Sequence, residues 1–407
     1  MSFVLGGPGF LRIRKLIFAL LAGIVVPVCL VSCSNHVETA AVPATAPGPS
    51  VARPLATSVE TADGRTWATV AMGDLSQPLN TFWQLFARPA GAATWTDQVE
   101  ATAVATNGGL VLAPSQDRSL TVGVLPSDHL TFSPLIATDN GGKAWTDGLL
   151  ADGLSAYPNA LASAPAGRVI ALTNSGSGTQ SVLGSENLSN WQTIVSGRAL
   201  ATRGAGRLCG VAALDAVAYD GAAPVIGADC THAGVVGLFT SIGAGWGLIG
   251  PTLPASLGQG SVSVTDLDAQ GQGLSCLLTI TGRSETSLVA ARTTDHGRTW
   301  RLSQPLRLTG SETVSSVGSV DESGFFVLLS DSAGPRRAEV LDGQASAWAE
   351  LPTPPVGTAT LAFGPGTTVE ALAVSAAVLT VWALGPGSSG WHKGQVIQVP
   401  IEYGSSS

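Results

Sequence analysis

The sequence predicts an all-β protein built from one short antiparallel unit repeated along the chain, and three observations carry that expectation. Seven of the ten Trp fall on a lattice, Trp95, Trp145, Trp191, Trp246, Trp300, Trp348 and Trp391, with spacings of 50, 46, 55, 54, 48 and 43 residues. A short run of small or polar residues precedes each lattice Trp, as in Gly141-Gly142-Lys143-Ala144 and Gly243-Ala244-Gly245, and an apolar stretch precedes most of those runs, as in Leu288-Val289-Ala290-Ala291. That order reads as strand, tight turn and Trp-bearing strand. After residue 33, no stretch sustains a 3.6-residue apolar period over three helical turns.

Composition narrows the function classes. Charged residues make up 12% of the 407-residue chain and hydrophobic ones 45%. Disorder requires low hydrophobicity with high net charge, so an intrinsically disordered chain is excluded. A net charge of -8 argues against a dedicated nucleic-acid binder, and the scarcity of Lys and Glu excludes a long coiled coil.

The chain opens on a targeting segment. Arg12, Arg14 and Lys15 form a short basic region, and residues 16–32 then run without a charge. Seventeen residues interrupted by Pro27 make a poor permanent span and a good export signal. Leu30-Val31-Ser32-Cys33 resembles the bacterial lipobox. The resemblance implies that residues 1–33 are a lipoprotein signal peptide ending at a lipidated Cys33, which holds the exported product on the outer face of the cell membrane. Cys29 lies inside the apolar stretch without a small residue before it and fits less well. Residues 34–57 are rich in Ala, Pro and Thr without apolar periodicity, the composition of an extended linker.

From residue 58 to 407 the repeat takes over. Between successive lattice Trp there is room for four strands. In the unit ending at Trp300 these read 261–267, 274–281, 287–293 and 300–303, with Gly-rich turns between them. The unit ending at Trp191 parses alike, with 168–174 and 181–185 as its middle strands. Four strands per roughly 49 residues, repeated, is the signature of a β-propeller, and seven Trp imply seven four-stranded antiparallel blades.

One turn carries a family resemblance. Thr293-Thr294-Asp295-His296-Gly297-Arg298-Thr299-Trp300 is similar to the Asp-box, the bacterial neuraminidase repeat, Ser/Thr-x-Asp-x-Gly-x-Thr-Trp. A second copy runs from Thr138 through Asn140 and Gly142 to Trp145, with Asn in the Asp position. A third, Ser185, Asn187 and Trp191, is one residue short and lacks the Gly, and Asp63-Gly64-Arg65-Thr66-Trp67 keeps only the tail. Asp or Asn accepts hydrogen bonds from turn amides and Gly takes the positive φ, so these positions read as scaffold. The resemblance implies a sialidase-like propeller with these turns on the face away from the ligand site.

The chemistry of a sialidase is not legible. The family's Arg-Ile-Pro motif does not follow the signal, and Tyr157, Tyr219 and Tyr403 have no nucleophile context. Asp220, Asp268, Glu285 and Glu339 are available carboxylates that nothing in the sequence pairs. No nucleophile elbow, no metal-ligand spacing and no genuine dinucleotide fingerprint is present, so neither metal nor cofactor is expected. Gly245-Trp246-Gly247-Leu248-Ile249-Gly250 satisfies a Gly-x-Gly-x-x-Gly pattern by chance in a chain with 50 Gly.

Cys209 and Cys230 fall in the unit ending at Trp246 and are the favoured disulfide, read as joining adjacent strands. Cys230 with Cys276 is the alternative, and otherwise Cys276 is a buried thiol. The ligand face is expected at loops joining second and third strands: Thr231-His232, the segment holding Arg283 and Glu285, and Gly334-Pro335-Arg336-Arg337. The expectation is a monomeric, non-catalytic module that binds or scaffolds a cell-envelope protein or glycan, against the alternative of a divergent exo-sialidase-like glycoside hydrolase.

Overall fold

The structure, a computed structural model, describes residues 56–61, 63–77, 80–98, 109–115, 119–125, 133–150, 157–164, 167–174, 179–243, 245–270, 273–320, 324–342 and 346–400. The segment expected as a signal peptide, with Cys29 and Cys33, and the segment expected as a linker up to residue 55 lie outside the described residues. The chain divides into Met1–Ala46 and a compact unit, Pro47–Ser407.

Nearly all regular structure is strand, in antiparallel meanders of four. They are β1 (Ala56–Glu60), β2 (Thr66–Gly73), β3 (Thr81–Arg88) and β4 (Thr96–Asp97); β5 (Leu110–Pro114), β6 (Leu120–Val124), β7 (Ser133–Thr138) and β8 (Thr146–Leu150); and β9 (Tyr157–Ser163), β10 (Val169–Asn174), β11 (Gln180–Ser185) and β12 (Gln192–Ser196). Then come β13 (Val211–Asp220), β14 (Ala223–Cys230), β15 (Gly237–Ile242) and β16 (Gly245–Leu248), followed by β17 (Ser261–Gln270), β18 (Gly273–Thr281), β19 (Thr286–Thr293) and β20 (Arg301–Leu302) with the short β21 (Leu306–Leu308). The last are β22 (Thr313–Val320), β23 (Gly324–Asp331), β24 (Gly334–Leu341) and β25 (Ala349–Glu350), then β26 (Thr358–Phe363), β27 (Val369–Ser375), β28 (Val378–Leu384) and β29 (His392–Gln398). Strand pairing begins at Ala56, opposite Val70.

Two short helices, α1 (Gly197–Ala201) and α2 (Gly204–Cys209), interrupt the pattern between β12 and β13. Ser196 caps α1 by accepting from the Ala199 N–H at 3.1 Å, and Gly210 ends α2 in the left-handed region at φ 67°. A side chain at Gly210 would also collide with Thr231. Cys209 is disulfide-bonded to Cys230. The expectation that both cysteines sit on strands is corrected: Cys209 closes α2, and the bond staples that insert to the end of β14. Cys276 is free and buried.

Core residues explain how the meanders are arranged. Strands packed on both faces send alternate side chains to opposite sides, so Leu277 and Leu278 of β18 belong to different clusters. Trp67 and Leu85 pack on Leu112 and Val122. Leu135 and Leu150 meet Leu161 and Ala171. Leu172 and Val182 meet Val217 and Ile226. Val225 and Leu238 meet Val264 and Leu278. Leu277 and Leu288 meet Phe325 and Val327. Phe326 and Leu328 meet Leu361 and Ala371. Finally Leu372 and Val381 pack on Val70 and Phe86, which returns the series to its first meander. Each meander therefore touches the one before and the one after, and the series closes on itself, which is the arrangement of a β-propeller.

Lattice Trp residues stitch these contacts. Each follows the turn between third and fourth strands, and four of them donate the indole N–H to a backbone carbonyl of the preceding meander. Trp191 reaches the Leu149 carbonyl at 2.9 Å, Trp300 the Ile249 carbonyl at 2.8 Å, Trp348 the Gln304 carbonyl at 3.1 Å and Trp391 the Pro352 carbonyl at 3.0 Å. Trp95, in the first meander, reaches instead to the last one, where its Nε1 donates to Glu370 Oε2 at 2.8 Å. That carboxylate also takes Arg88 Nη1 at 2.6 Å, with both side chains buried. Arg88 donates further to Thr66 Oγ1 at 2.7 Å and to the Phe363 carbonyl. Gln395 completes the latch, accepting from the Trp95 N–H at 2.7 Å and donating to the Trp95 carbonyl at 2.9 Å. Burial pushes the Glu370 carboxyl up, while Arg88 and Trp95 hold it back.

Removing one member of a buried ion pair strands the other charge, so Arg88→Met is expected to cost about 3–5 kcal/mol in urea unfolding. The double variant Arg88→Met with Glu370→Leu is expected to recover much of that loss, as read by a double-mutant cycle. Equal, additive losses in both single variants would contradict a coupled latch.

Candidate functional site

The first strand of each meander lies innermost, and several of these strands carry a β-bulge at a corresponding place. Register shifts occur between Leu214 and Ala216, Val264 and Asp266, Val314 and Ser316, and Thr358 and Thr360, and opposite Leu172 and Thr173 on β9. The residues left out of register are Asn159, Asp215, Thr265, Ser315 and Ala359. A bulge re-aims a side chain and frees backbone groups. At Asp215 the freed groups are met by Gln180 from the neighbouring meander, which accepts from the Leu214 N–H at 2.7 Å and donates to the Leu214 carbonyl at 2.9 Å.

These inner strands surround a cavity of about 680 Å³, lined mainly by residues of β1, β5, β9, β13 and β17, with Thr69, Trp83, Gln180, Asp229 and Ser319 from other strands. Asn159, Asp215 and Thr265 of the bulged set line it, together with Asp229, Asp266 and Asp268. Among the described lining residues there is no Lys, Arg or His. Burial, reinforced by the adjacent Asp229, pushes the Asp215 carboxyl up to about 8. One Asp215 oxygen, Oδ2, is buried with no hydrogen-bond partner. Burial and then Asp268 push Asp266 up to about 7. Asp268 accepts from Ser319 Oγ at 2.6 Å and from the Ala269 N–H at 2.8 Å. Behind this wall, burial and Asp266 hold the Cys276 thiol far above its ordinary value, so it is protonated and inert. No cluster of three or more His, Cys, Asp or Glu suited to a metal ion occurs among the described residues.

The candidates from sequence fall elsewhere. His232 lies in the β14–β15 loop with Nδ1 2.9 Å from the Leu208 carbonyl oxygen. Arg283 and Glu285 are exposed in the β18–β19 turn, and Glu285 faces Arg307 at 3.7 Å. The segment expected as a loop around Arg336 and Arg337 is the start of β24, because the turn closes within residues 332–333. Arg336 pairs with Asp331 at 2.8 Å; Arg337 pairs with Glu312 at 3.0 Å and Glu339 at 3.2 Å. None of these five lines the cavity. Of the four carboxylates weighed from sequence, Asp268 alone lines it; Asp220 instead binds His296 Nδ1 at 2.8 Å, from one meander to the next.

The turn residues act locally. Thr293 Oγ1 donates to Asp295 Oδ1 at 2.7 Å and accepts from the Gly297 N–H at 3.0 Å, while Asp295 accepts from the Thr299 N–H at 2.8 Å and the Thr299 hydroxyl at 2.6 Å. Those Thr299 bonds, with Thr293, hold the Asp295 carboxyl well below the usual carboxylate range. Asn140 repeats the pattern with Thr138 and the Ala144 N–H, and Asn187 with Ser185 and the Asn190 N–H. All three turns join the third and fourth strands of a meander.

No protein-family model matches the chain, and no curated protein matches it in sequence. Solved structures are similar in outline. A mutant of the Aleuria aurantia lectin in complex with Fucα1-6GlcNAc is 16% identical with a TM-score of 0.41, covering 86% of this chain and 97% of that one. The SapL1 lectin in complex with α-methyl fucoside is 14% identical with a TM-score of 0.42, covering 85% and 96%. A protein from Lactobacillus plantarum is 12% identical with a TM-score of 0.48, covering 83% and 97%.

Proposed function

We propose that the chain is an exported, lipid-anchored binding module: a seven-bladed propeller of the Asp-box kind, held at the outer face of a bacterial cell membrane through Cys33, whose central cavity takes an uncharged polyhydroxyl group of an envelope glycan. The observation that carries this reading is the cavity wall, with four aspartates and no basic side chain among its described residues. Carboxylates and the Asn159 amide accept and donate to sugar hydroxyls, whereas a sugar carboxylate entering this wall would meet like charge. The same wall disfavours a sialidase, which needs cations for its substrate. Seven lattice Trp and the three Thr/Ser–Asp/Asn turns support the blade count and the family.

A glycan array run on Pro47–Ser407 beside a fluorogenic glycosidase panel tests this. Neutral glycans are expected to bind, sialylated and uronate-bearing ones to be rejected, and Asp266→Asn to weaken binding by up to about tenfold, the loss of one hydrogen bond. Binding confined to acidic glycans, or turnover abolished by Asp215→Asn, would overturn the reading.

The same carboxylates set a pH dependence of stability. Asp215 and Asp266 titrate near 8 and 7 when folded, against an ordinary value of 3.8. Folded-state values raised in this way mean that their contribution is fully present at low pH and is lost as pH rises through 7 to 8. Urea midpoints are expected to fall between pH 5 and pH 9, and Asp266→Asn is expected to flatten that fall.

A further inference from the structure

The α1–α2 insert is a rigid, unpaired basic platform. Leu200 and Cys209 anchor it in the core. The disulfide to Cys230, the Thr231 hydroxyl on the Gly210 carbonyl at 2.9 Å, the His232 N–H on the Cys209 carbonyl at 3.0 Å and His232 Nδ1 beside the Leu208 carbonyl fix its far end. What it presents outward is Arg198, Arg203 and Arg207, all exposed, and Leu208 at 66% exposure. From residue 187 to 214 the sequence holds no Asp or Glu, in a chain whose net charge is -8. Elsewhere Arg307, Arg336 and Arg337 are spent on carboxylates, whereas these three arginines make no ion pair with any described residue.

Topology places this platform on a particular face. β1 pairs in parallel with β22, so these innermost strands run the same way and begin at the same end of the ring. The insert leads from β12 into the start of β13, and the chain arrives at the start of β1 at Ala56 on that same end. Turns of the Thr138, Ser185 and Thr293 kind, which follow third strands, lie at the opposite end.

We propose that this insert docks on an anionic phospholipid surface, with the three arginines against headgroups and Leu208 in the interface. Unpaired cations surrounding an exposed apolar side chain are the pattern that binds such a surface, and Ala56, the first described residue, stands at the same end of the ring. The contact gains its setting from the anchored reading above, and it is measured without the anchor, so either can fail alone.

Vesicle cosedimentation of Pro47–Ser407, which carries every core cluster and the closing latch, is the test. Vesicles of phosphatidylcholine alone are compared with vesicles of phosphatidylcholine mixed with phosphatidylglycerol. The expected result is partition to the anionic vesicles alone, weakened by salt. The variant Arg198→Gln, Arg203→Gln, Arg207→Gln is expected to lose about a hundredfold, since each basic residue near the surface raises partition about fivefold. Leu208→Ala is expected to weaken it further. As a control of equal charge, Arg298→Gln, Arg301→Gln, Lys393→Gln is expected to leave partition within about twofold, those cations lying away from the insert. Equal loss in that control, equal binding to neutral vesicles, no sedimentation with anionic vesicles, or binding to soluble polyphosphate in place of vesicles would each overturn the proposal.

Discussion

Everything in this ring depends on joining its last meander to its first, and one buried carboxylate makes that junction. Glu370 receives Arg88 and the Trp95 indole from the far end of the chain, and Gln395 brackets the Trp95 backbone. Trp191, Trp300, Trp348 and Trp391 each reach a backbone carbonyl of the preceding meander, a neutral bond of modest net worth. At the junction the acceptor is a carboxylate paired with Arg88, and both side chains are buried. A buried charge is costly alone and acceptable when fully partnered, so the junction is specific: only this pair of ends satisfies it. Two further hydrogen bonds cross the junction, from Ser58 Oγ to the Leu361 carbonyl at 2.7 Å and from the Gly73 N–H to the Ala376 carbonyl at 2.9 Å, while the apolar contacts of Val70, Phe86 and Trp95 with Leu372, Leu379 and Val381 supply area without selecting register.

Closure in turn creates the cavity. Strands that run side by side around an axis must bend where side chains crowd, and the recurrent bulge near the start of the inner strands is where they do so. The bulge at Asp215 turns a carboxylate inward beside Asp229, and Gln180 repairs the backbone it opens. The acidic wall is thus a consequence of local strand irregularity held in place by neighbouring meanders. The helical insert is a separate elaboration, an addition to one connection, and its charge is of the opposite sign.

The sequence was most legible where a residue type has one common use. Trp recurs every fifty residues or so because each repeat must cover the seam to its neighbour, and the strands around Trp300 and Trp191 lie within a few residues of their expected bounds. Turn chemistry was legible for the same reason: a Thr two residues before Asp or Asn has few other roles. Gly334-Pro335 misled, since a turn signal that strong displaced Arg336 and Arg337 from the strand they occupy. Asp215 and Asp266 were invisible as a site because a lone acid within an apolar strand carries no spacing. The available signal was the interruption itself, Ala213-Leu214-Asp215-Ala216 and Thr265-Asp266-Leu267-Asp268 within otherwise apolar first strands. Arg88 and Glu370 lie 282 residues apart, and no local pattern joins them.

Native-state hydrogen exchange on Pro47–Ser407 tests the closed ring most directly. If the latch makes one cooperative unit, the slowest amides of β2 and β27 exchange with the same opening free energy as those of β18 and β23. If β1–β4 and β26–β29 open far more readily than the middle of the chain, the meanders form an open array with frayed ends, and the account of closure is wrong.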